Sequence, residues 1–251
     1  MTPPASHDID PRTAEIAAGL RAVRERITAA CRAAGRDPGE VRLLPVTKTF
    51  PAEDVARLVD LGLTEFGENR DQEAGAKTAE LARLRPDATV RWHMVGRLQR
   101  NKARHVVRWA GMVQSVDSPR LATALERAVA SARAAGERTE PPLDVLVQAS
   151  LDADPTRGGC PLPDLPELAD QIASSSELRL RGVMAVAPLG ADPDDAFSTL
   201  AQAVDLLRKD HPAATELSAG MSGDLEQAIA HGSTWVRVGT ALLGGRRLAS
   251  P

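Results

Sequence analysis

Apolar residues recur along the chain in short runs that predict eight β-strands. The runs occupy residues 43–49, 64–67, 90–95, 112–116, 143–149, 178–187, 215–218 and 234–238. Segments with apolar residues at helical spacing separate these runs, and one more, residues 12–34, precedes the first run. The pattern therefore predicts an N-terminal helix followed by alternating strands and helices.

This alternation indicates the fold class. Strands separated by helices pair in parallel through right-handed crossovers, and eight of them suit a closed (β/α)8 barrel, the TIM barrel. The alternative is an open doubly wound sheet, which needs a glycine-rich dinucleotide turn after its first strand, where this sequence reads Lys48-Thr49-Phe50-Pro51. We therefore expect one α/β barrel domain over residues 12–251, including the extra N-terminal helix, after a flexible tail at residues 1–11.

Composition and charge argue against several classes of protein. The 31 Lys and Arg residues nearly balance the 34 Asp and Glu residues, so the net charge of -3 predicts neither a nucleic-acid nor a membrane partner. The two cysteines and five histidines lack metal-ligand spacing, and no metal site is expected. Because the sequence contains no leader or membrane-spanning segment, we expect a cytoplasmic protein.

Lys48 lies at the end of the first predicted strand. Side chains alternate along a strand, so Leu44, Val46 and Lys48 share one face. A partly desolvated amine at the carboxyl end of a barrel strand can attack an aldehyde. The alternative is a surface lysine just beyond the strand, and Pro45 complicates the strand because proline cannot donate to a sheet. Three other lysines fall in polar helices, namely Lys77, Lys102 and Lys209.

The loops after the last two strands have the composition of barrel phosphate sites, which use backbone N–H groups of glycine-bearing turns. Glycine and serine at such junctions are also ordinary turn and helix-cap residues. Two such loops after consecutive final strands nevertheless favour phosphate binding. The residues concerned are Ser218, Gly220, Met221 and Ser222 in the first loop and Gly239 and Thr240 in the second.

Arg237 is a charged residue within an apolar strand, on the same face as Trp235 and Gly239. A buried guanidinium needs an acceptor, which could be a ligand ring nitrogen, a phosphate or a protein carboxylate such as Glu216, with the ligand slightly favoured. A nucleophilic lysine, two phosphate loops and this arginine on one rim indicate an aldehyde that carries a phosphate. Pyridoxal 5′-phosphate is the obvious candidate.

In these features the chain resembles the pyridoxal phosphate homeostasis protein family, whose fold is like the barrel domain of alanine racemase. The resemblance runs in order from about residue 41 to residue 245, and the combination of motifs is highly specific. The motifs are Val46-Thr47-Lys48-Thr49, Phe66-Gly67-Glu68-Asn69, Trp92-His93-Met94-Val95-Gly96, Leu98-Gln99, Asn101-Lys102, Arg181-Gly182-Val183-Met184, Leu217-Ser218-Ala219-Gly220-Met221-Ser222 and Val236-Arg237-Val238-Gly239-Thr240.

The resemblance implies roles for these residues. Lys48 would hold pyridoxal 5′-phosphate as a Schiff base, and Ser222, Gly239 and Thr240 would hold its phosphate. Arg237 would face the pyridine nitrogen. A cation there disfavours protonation of the ring nitrogen and weakens the cofactor as an electron sink.

Two further residues, Asn69 and His93, would line the cofactor face. For His93 a structural role is equally expected, because it could simply hydrogen-bond within the rim. The sequence also departs from the family pattern at several positions, which puts the finer regulation in doubt but not the cofactor site. These departures are Arg70, Arg97, Arg157 and Ala219.

By the same resemblance, the protein would bind and carry pyridoxal phosphate in vitamin B6 homeostasis, without catalytic turnover, as a monomer that supplies pyridoxal phosphate-dependent apoenzymes. One alternative is a pyridoxal phosphate-dependent amino-acid racemase, which needs two acid–base groups. In alanine racemases one of these groups is a tyrosine, and this chain contains no tyrosine. A Schiff-base aldolase acting on a phosphorylated sugar is a further alternative, and it predicts a colourless protein.

Residues 83–108 are rich in arginine and contain a single acid, Asp87. This stretch could form an anion-attracting rim or a surface that meets partner proteins. A solvated helix face is the favoured interpretation for Arg100, Lys102 and Arg104. A nucleic-acid site is not expected, because the aromatic residues that stack on bases are almost absent.

Overall fold

The computed structural model describes residues 10–139, 142–152 and 158–245. Within these ranges the strands are β1 (Arg42–Pro45), β2 (Glu65–Glu68), β3 (Arg91–Met94), β4 (Met112–Val116), β5 (Leu143–Ser150), β6 (Cys160–Pro161), β7 (Leu178–Met184), β8 (Glu216–Ser218) and β9 (Trp235–Val238). The α-helices are α1 (Pro11–Ala33), α2 (Ala52–Asp60), α3 (Asp71–Leu84), α4 (Ala103–Val106), α5 (Pro119–Ala134), α6 (Leu165–Ala173), α7 (Pro193–Asp210), α8 (Leu225–Ala230) and α9 (Thr240–Leu243). No helix in the described ranges is long and apolar enough to cross a membrane.

Eight of the described strands form a ring of parallel neighbours. Their order is β1-β9-β8-β7-β5-β4-β3-β2, and a parallel bridge between Val46 and Gly67 connects the ends of this series. The two-residue strand β6 pairs with the end of β5, outside the ring. The prediction of a (β/α)8 barrel with an extra N-terminal helix is confirmed, and the open-sheet alternative is wrong.

Most apolar side chains pack in the layer between the strands and the surrounding helices. Phe66 and Trp92 meet there, for example, with ring centroids 5.6 Å apart. A third, smaller apolar cluster comprises Met112, Leu146 and Met184. His93, Gln114 and Arg237 are buried polar side chains on barrel strands. Because buried polar groups need hydrogen-bond partners, a polar network inside the barrel is expected.

Helix α1 packs against α8 and α9, the two helices that follow the last barrel strands. Its buried face consists of Ile16, Leu20, Val23, Ile27, Ala30 and Cys31. Gly19 lies at the closest crossing, where a Cβ atom would come within 2.4 Å of the Leu242 carbonyl oxygen. Any side chain at this position would therefore push α1 away from α9.

The structure differs from the predicted elements in three places. β1 ends at Pro45, because Val46 makes only one isolated bridge and the chain turns two residues later. The segment between the third and fourth predicted strands, which the pattern predicts to be helical, contains only the four-residue α-helix α4, since tight three-residue turns precede and follow it. β6 and α9 are elements that the sequence pattern did not predict. The predicted tail up to residue 9, Arg157 and residues 246–251 lie outside the described ranges.

Candidate cofactor site

Lys48 lies in a turn just beyond the carboxyl end of β1. The backbone N–H of Thr47 still donates to the Gly67 carbonyl at 2.9 Å, and the chain then turns at Lys48 and Thr49. The side chain of Lys48 is exposed, and its ammonium group contacts no partner among the described residues. The position at the strand end agrees with the prediction, whereas the expected partial desolvation of the amine is wrong.

The loop after β8 folds tightly around Gly220. This glycine has φ of +88°, and a Cβ atom there would lie 2.6 Å from a side-chain atom of α8, so only glycine fits. Asp224 accepts the Met221 backbone N–H at 2.6 Å. The Ser222 carbonyl accepts a hydrogen bond from Arg26 of α1 at 3.1 Å. The N-terminal helix therefore holds this loop from outside.

The loop after β9 lies beside the segment that carries Lys48. A Cβ atom on Gly239 would approach the Val46 carbonyl oxygen to 3.1 Å, and Val46 precedes Lys48 by two residues. Several backbone N–H groups in the two loops have no acceptor among the described residues, and those of Ser222, Gly223, Gly239 and Thr240 are among them. The two loops follow neighbouring strands of the rim that carries the exposed amine, and their free donors suit an aldehyde that also carries an anionic group.

Arg237 is buried and hydrogen-bonded entirely to protein groups. It donates to the Ser218 carbonyl at 2.6 Å, to the Ser218 hydroxyl at 2.8 Å and to the Ala185 carbonyl at 2.7 Å. Burial lowers the pKa of the guanidinium to about 10. The suggested pairing with Glu216 is wrong, because that carboxylate instead accepts the Trp235 indole N–H at 2.7 Å and pairs with Arg42.

A chain of hydrogen bonds crosses the barrel from Arg237 to Glu65. The Ser218 hydroxyl accepts from Arg237 and donates to Gln114 Oε1 at 2.7 Å. Gln114 Nε2 lies 2.9 Å from His93 Nδ1, and His93 Nε2 lies 2.8 Å from Glu65 Oε2. An amide nitrogen can only donate, so Nδ1 accepts and the proton of His93 sits on Nε2, which donates to Glu65. Each group in this series therefore donates its hydrogen bond to the next, from the Arg237 cation to the Glu65 anion.

The charge states along this chain follow from burial. Burial lowers the pKa of His93. Burial opposes the charged form of Glu65, but the hydrogen bond and charge interactions with His93, Arg91 and Arg42 together outweigh it, and the pKa of this carboxyl is lowered. A neutral His93 is thus held between Gln114 and an ionised Glu65. Because both ring nitrogens are occupied, the geometry supports the structural role for His93, and its contact with a cofactor stays a prediction.

Asn69 sits at the rim, beside the ends of β2 and β3. Its backbone presses on Gly96, where a Cβ atom would lie 2.2 Å from the Asn69 carbonyl oxygen. Asn69, Arg97 and Lys102 line a pocket of about 400 Å³. A larger neighbouring cleft of about 1140 Å³ is lined by Arg97, Arg100 and Arg120. Part of the basic stretch therefore borders the rim, in addition to forming a solvated surface.

Several residues at the site were not found from the sequence. Gln114 was read only as part of an apolar strand, although a polar residue inside a buried strand signals a hydrogen-bond network. Lys77 lies in helix α3, as the sequence predicts, but its burial against the Lys48 turn was not predicted. Its spacing from the buried residues Ala74 and Leu81 is the signal that could have found it.

Comparison with known proteins identifies the family. Residues 19–247 match the alanine racemase N-terminal domain. The pyridoxal phosphate homeostasis protein of Mycobacterium tuberculosis is 52% identical over 249 residues, which cover 96% of each chain. The chain belongs to the pyridoxal phosphate homeostasis protein family. A second member, from Escherichia coli K12, is 39% identical over 237 residues and covers 92% of this chain and 97% of its own.

A solved structure extends this result to three dimensions. PipY of Synechococcus elongatus, determined with pyridoxal phosphate bound, matches with a TM-score of 0.77 at 34% identity. The match covers 91% of this chain and all of the PipY chain. The family recognised from the sequence motifs is therefore confirmed, together with its barrel.

Proposed function

We propose that this protein binds pyridoxal 5′-phosphate, holds it as a Schiff base through Lys48, and takes part in vitamin B6 homeostasis in the cytoplasm. The observation that carries the proposal is the exposed amine of Lys48 beside two glycine-bearing loops with free backbone donors. Membership of the family and the bound cofactor in PipY support the same ligand.

The residues present fit this cofactor. Ser222, Gly239 and Thr240 would hold the phosphate, since their N–H groups have no acceptor among the described residues and helix-start amides suit anions. Gly220 keeps the first loop in a conformation that other residues rarely adopt. Arg237 would lie near the ring nitrogen from inside the barrel. Asn69 would border the cofactor at the rim.

Binding without turnover is the second part of the proposal. When bound, the cofactor supplies an aldehyde, which condenses reversibly with a primary amine and releases one water. Arg237 keeps a positive charge inside the barrel, which disfavours a proton on the nearby ring nitrogen. His93 has no free nitrogen with which to move a proton. We therefore propose a carrier without turnover. As separate proposals, it would be a monomer and would supply pyridoxal phosphate-dependent apoenzymes.

Lys48→Ala tests the site directly. We expect the variant to fold normally and to lose both the visible absorbance of the bound cofactor and the pyridoxyl label left by borohydride reduction. In the parent protein, peptide mapping should place that label on Lys48.

Lys102→Ala is the matched control, because Lys102 also borders the rim but lies in the Arg100–Lys102 turn. It should keep full absorbance and label. Pyridoxyl label on Lys77 or Lys102 in the parent protein, in place of Lys48, would show that the assignment is mistaken.

A further inference from the structure

Two side chains of α3 hold the backbone on either side of Lys48. Lys77 Nζ donates to the Thr47 carbonyl oxygen at 2.7 Å. Glu73 Oε1 accepts the backbone N–H of Thr49. These two groups belong to the two peptide units that flank the Cα atom of Lys48. The backbone from which the Lys48 side chain projects is therefore tied to α3 at both ends.

These side chains are also bound to each other and to the barrel wall. Lys77 Nζ lies 3.1 Å from Glu73 Oε1 and 2.6 Å from Glu68 Oε1. The same Glu68 oxygen accepts the Thr47 hydroxyl. The Lys77 and Glu68 side chains are only 5% and 0% exposed. We call Glu68, Glu73 and Lys77 the Lys77 clamp.

Stability alone does not account for the Lys77 clamp. A buried ion pair is weak grounds for stability, because desolvation of the two charges offsets their attraction. The clamp also holds a strained turn, since Thr49 has φ of +68° and is the one non-glycine residue with positive φ in the described ranges. Such strain persists where surrounding contacts over-determine the backbone, and it clusters at functional sites.

We propose that the Lys77 clamp positions Lys48 for the cofactor. Glu73 and Lys77 fix the two peptide units, and these set the direction in which the Lys48 side chain leaves the turn. A prealigned amine loses less conformational freedom when it binds the aldehyde, so affinity rises without any new contact to the ligand. The inference rests on the proposed function of Lys48.

Glu73→Ala is the first test, because the Glu73 side chain is partly exposed and Lys77 keeps its ion pair with Glu68 in this variant. We expect on the order of tenfold weaker binding of pyridoxal phosphate, from the loss of a charged acceptor and the order it imposes. The pH midpoint of the visible absorbance band should shift. In cofactor-free protein the Thr49 amide should exchange with deuterium faster.

Two variants of the same helix serve as controls. Glu73→Gln keeps an acceptor oxygen for the Thr49 N–H and should restore most of the affinity and the band. Glu80→Ala removes a carboxylate that pairs with Arg83, away from the Lys48 turn, and should match the parent in all three measurements.

A second variant tests the other half of the clamp. Lys77→Met combined with Glu68→Gln removes the buried charges together, so neither is left alone in the protein. Thermal unfolding would establish that it folds, and it should show the same loss of affinity as Glu73→Ala.

The outcomes separate the two proposals. Faster Thr49 exchange with unchanged affinity and an unchanged band would mean that the clamp is only structural, and the inference would be overturned. An unchanged rate of Thr49 amide exchange in Glu73→Ala would show that Glu73 does not hold this amide in solution, and the inference would also be overturned. A parent protein that takes no pyridoxyl label on Lys48 would overturn the proposed function, and the inference with it.

Discussion

The hydrogen-bond chain inside the barrel fixes the charge of His93. Burial lowers the pKa of this residue in the folded protein, whereas the pKa of the unfolded side chain is about 6.5. Below about pH 6.5 the unfolded state therefore binds more protons than the folded state, and the free energy of unfolding falls as the pH falls. We expect His93→Gln to flatten the dependence of Tm on pH between about pH 7 and about pH 5.

His231→Gln is the control for this measurement, because His231 pairs with Asp194 at the surface. It removes a histidine outside the buried hydrogen-bond network, so its slope of Tm against pH is the reference against which the slope of His93→Gln is compared. Equal slopes for the parent and His93→Gln would show that His93 is not held neutral by the fold.

At the same scale, the sequence identifies individual functional residues better than it identifies the groups that those residues contact. Lys48 and Arg237 stand out because a charge in or beside an apolar strand needs a reason. The partners of Arg237 were not predictable, since two of its three acceptors are backbone carbonyls that any residue could supply. The helical spacing of Lys77 places it on the buried face of α3, but its partner in the Lys48 turn was not predictable, because that contact depends on how α3 packs.

Among the elements, α1 is linked directly to the Ser222 loop of the candidate site. Arg26 donates to the Ser222 carbonyl at 3.1 Å and pairs with Glu226 of α8 at 2.8 Å. We expect Arg26→Ala to weaken pyridoxal phosphate binding about two- to fivefold, a modest effect because this ion pair is partly exposed. Titration of the visible absorbance would measure it.

Arg21→Ala, an exposed position on the same helix, controls for loss of positive charge and should bind like the parent. Equal affinity in Arg26→Ala would mean that α1 packs on the barrel without holding the Ser222 loop.

The elements themselves were largely predictable, and the exceptions have local causes. Parallel strands buried on both faces read as continuous apolar runs, as in residues 112–116, where prediction and structure coincide. Short elements gave no signal: α9 spans only Thr240–Leu243, too few residues for a helical pattern. β1 was predicted too long, because the apolar run continues past the point where the chain leaves the sheet.

Across the whole molecule, barrel closure brings together groups that are far apart in the sequence. The bridge from Val46 to Gly67 sets the Lys48 turn against β2, while β9 sets the Gly239 loop against the same segment. The interior chain from Arg237 to Glu65 then fills the space below the rim with groups whose hydrogen bonds are already made. The rim is open to a ligand, but the hydrogen-bonded groups from Arg237 to Glu65 include no free acid or base.

This arrangement lacks the groups that racemisation of an amino acid requires. Racemisation by the two-base route removes the α-proton of an amino acid on one face and returns a proton on the other, so it needs two positioned acid–base groups. Lys48 could serve one face. The tyrosine that serves the other face in alanine racemases has no counterpart here, because the chain contains no tyrosine, and both nitrogens of His93 are engaged. Cofactor-loaded protein incubated with L- or D-alanine in deuterium oxide should therefore show no α-proton exchange at enzymatic rates. Exchange on the order of 1 per second or faster, abolished by Lys48→Ala, would instead establish a racemase and refute the carrier proposal.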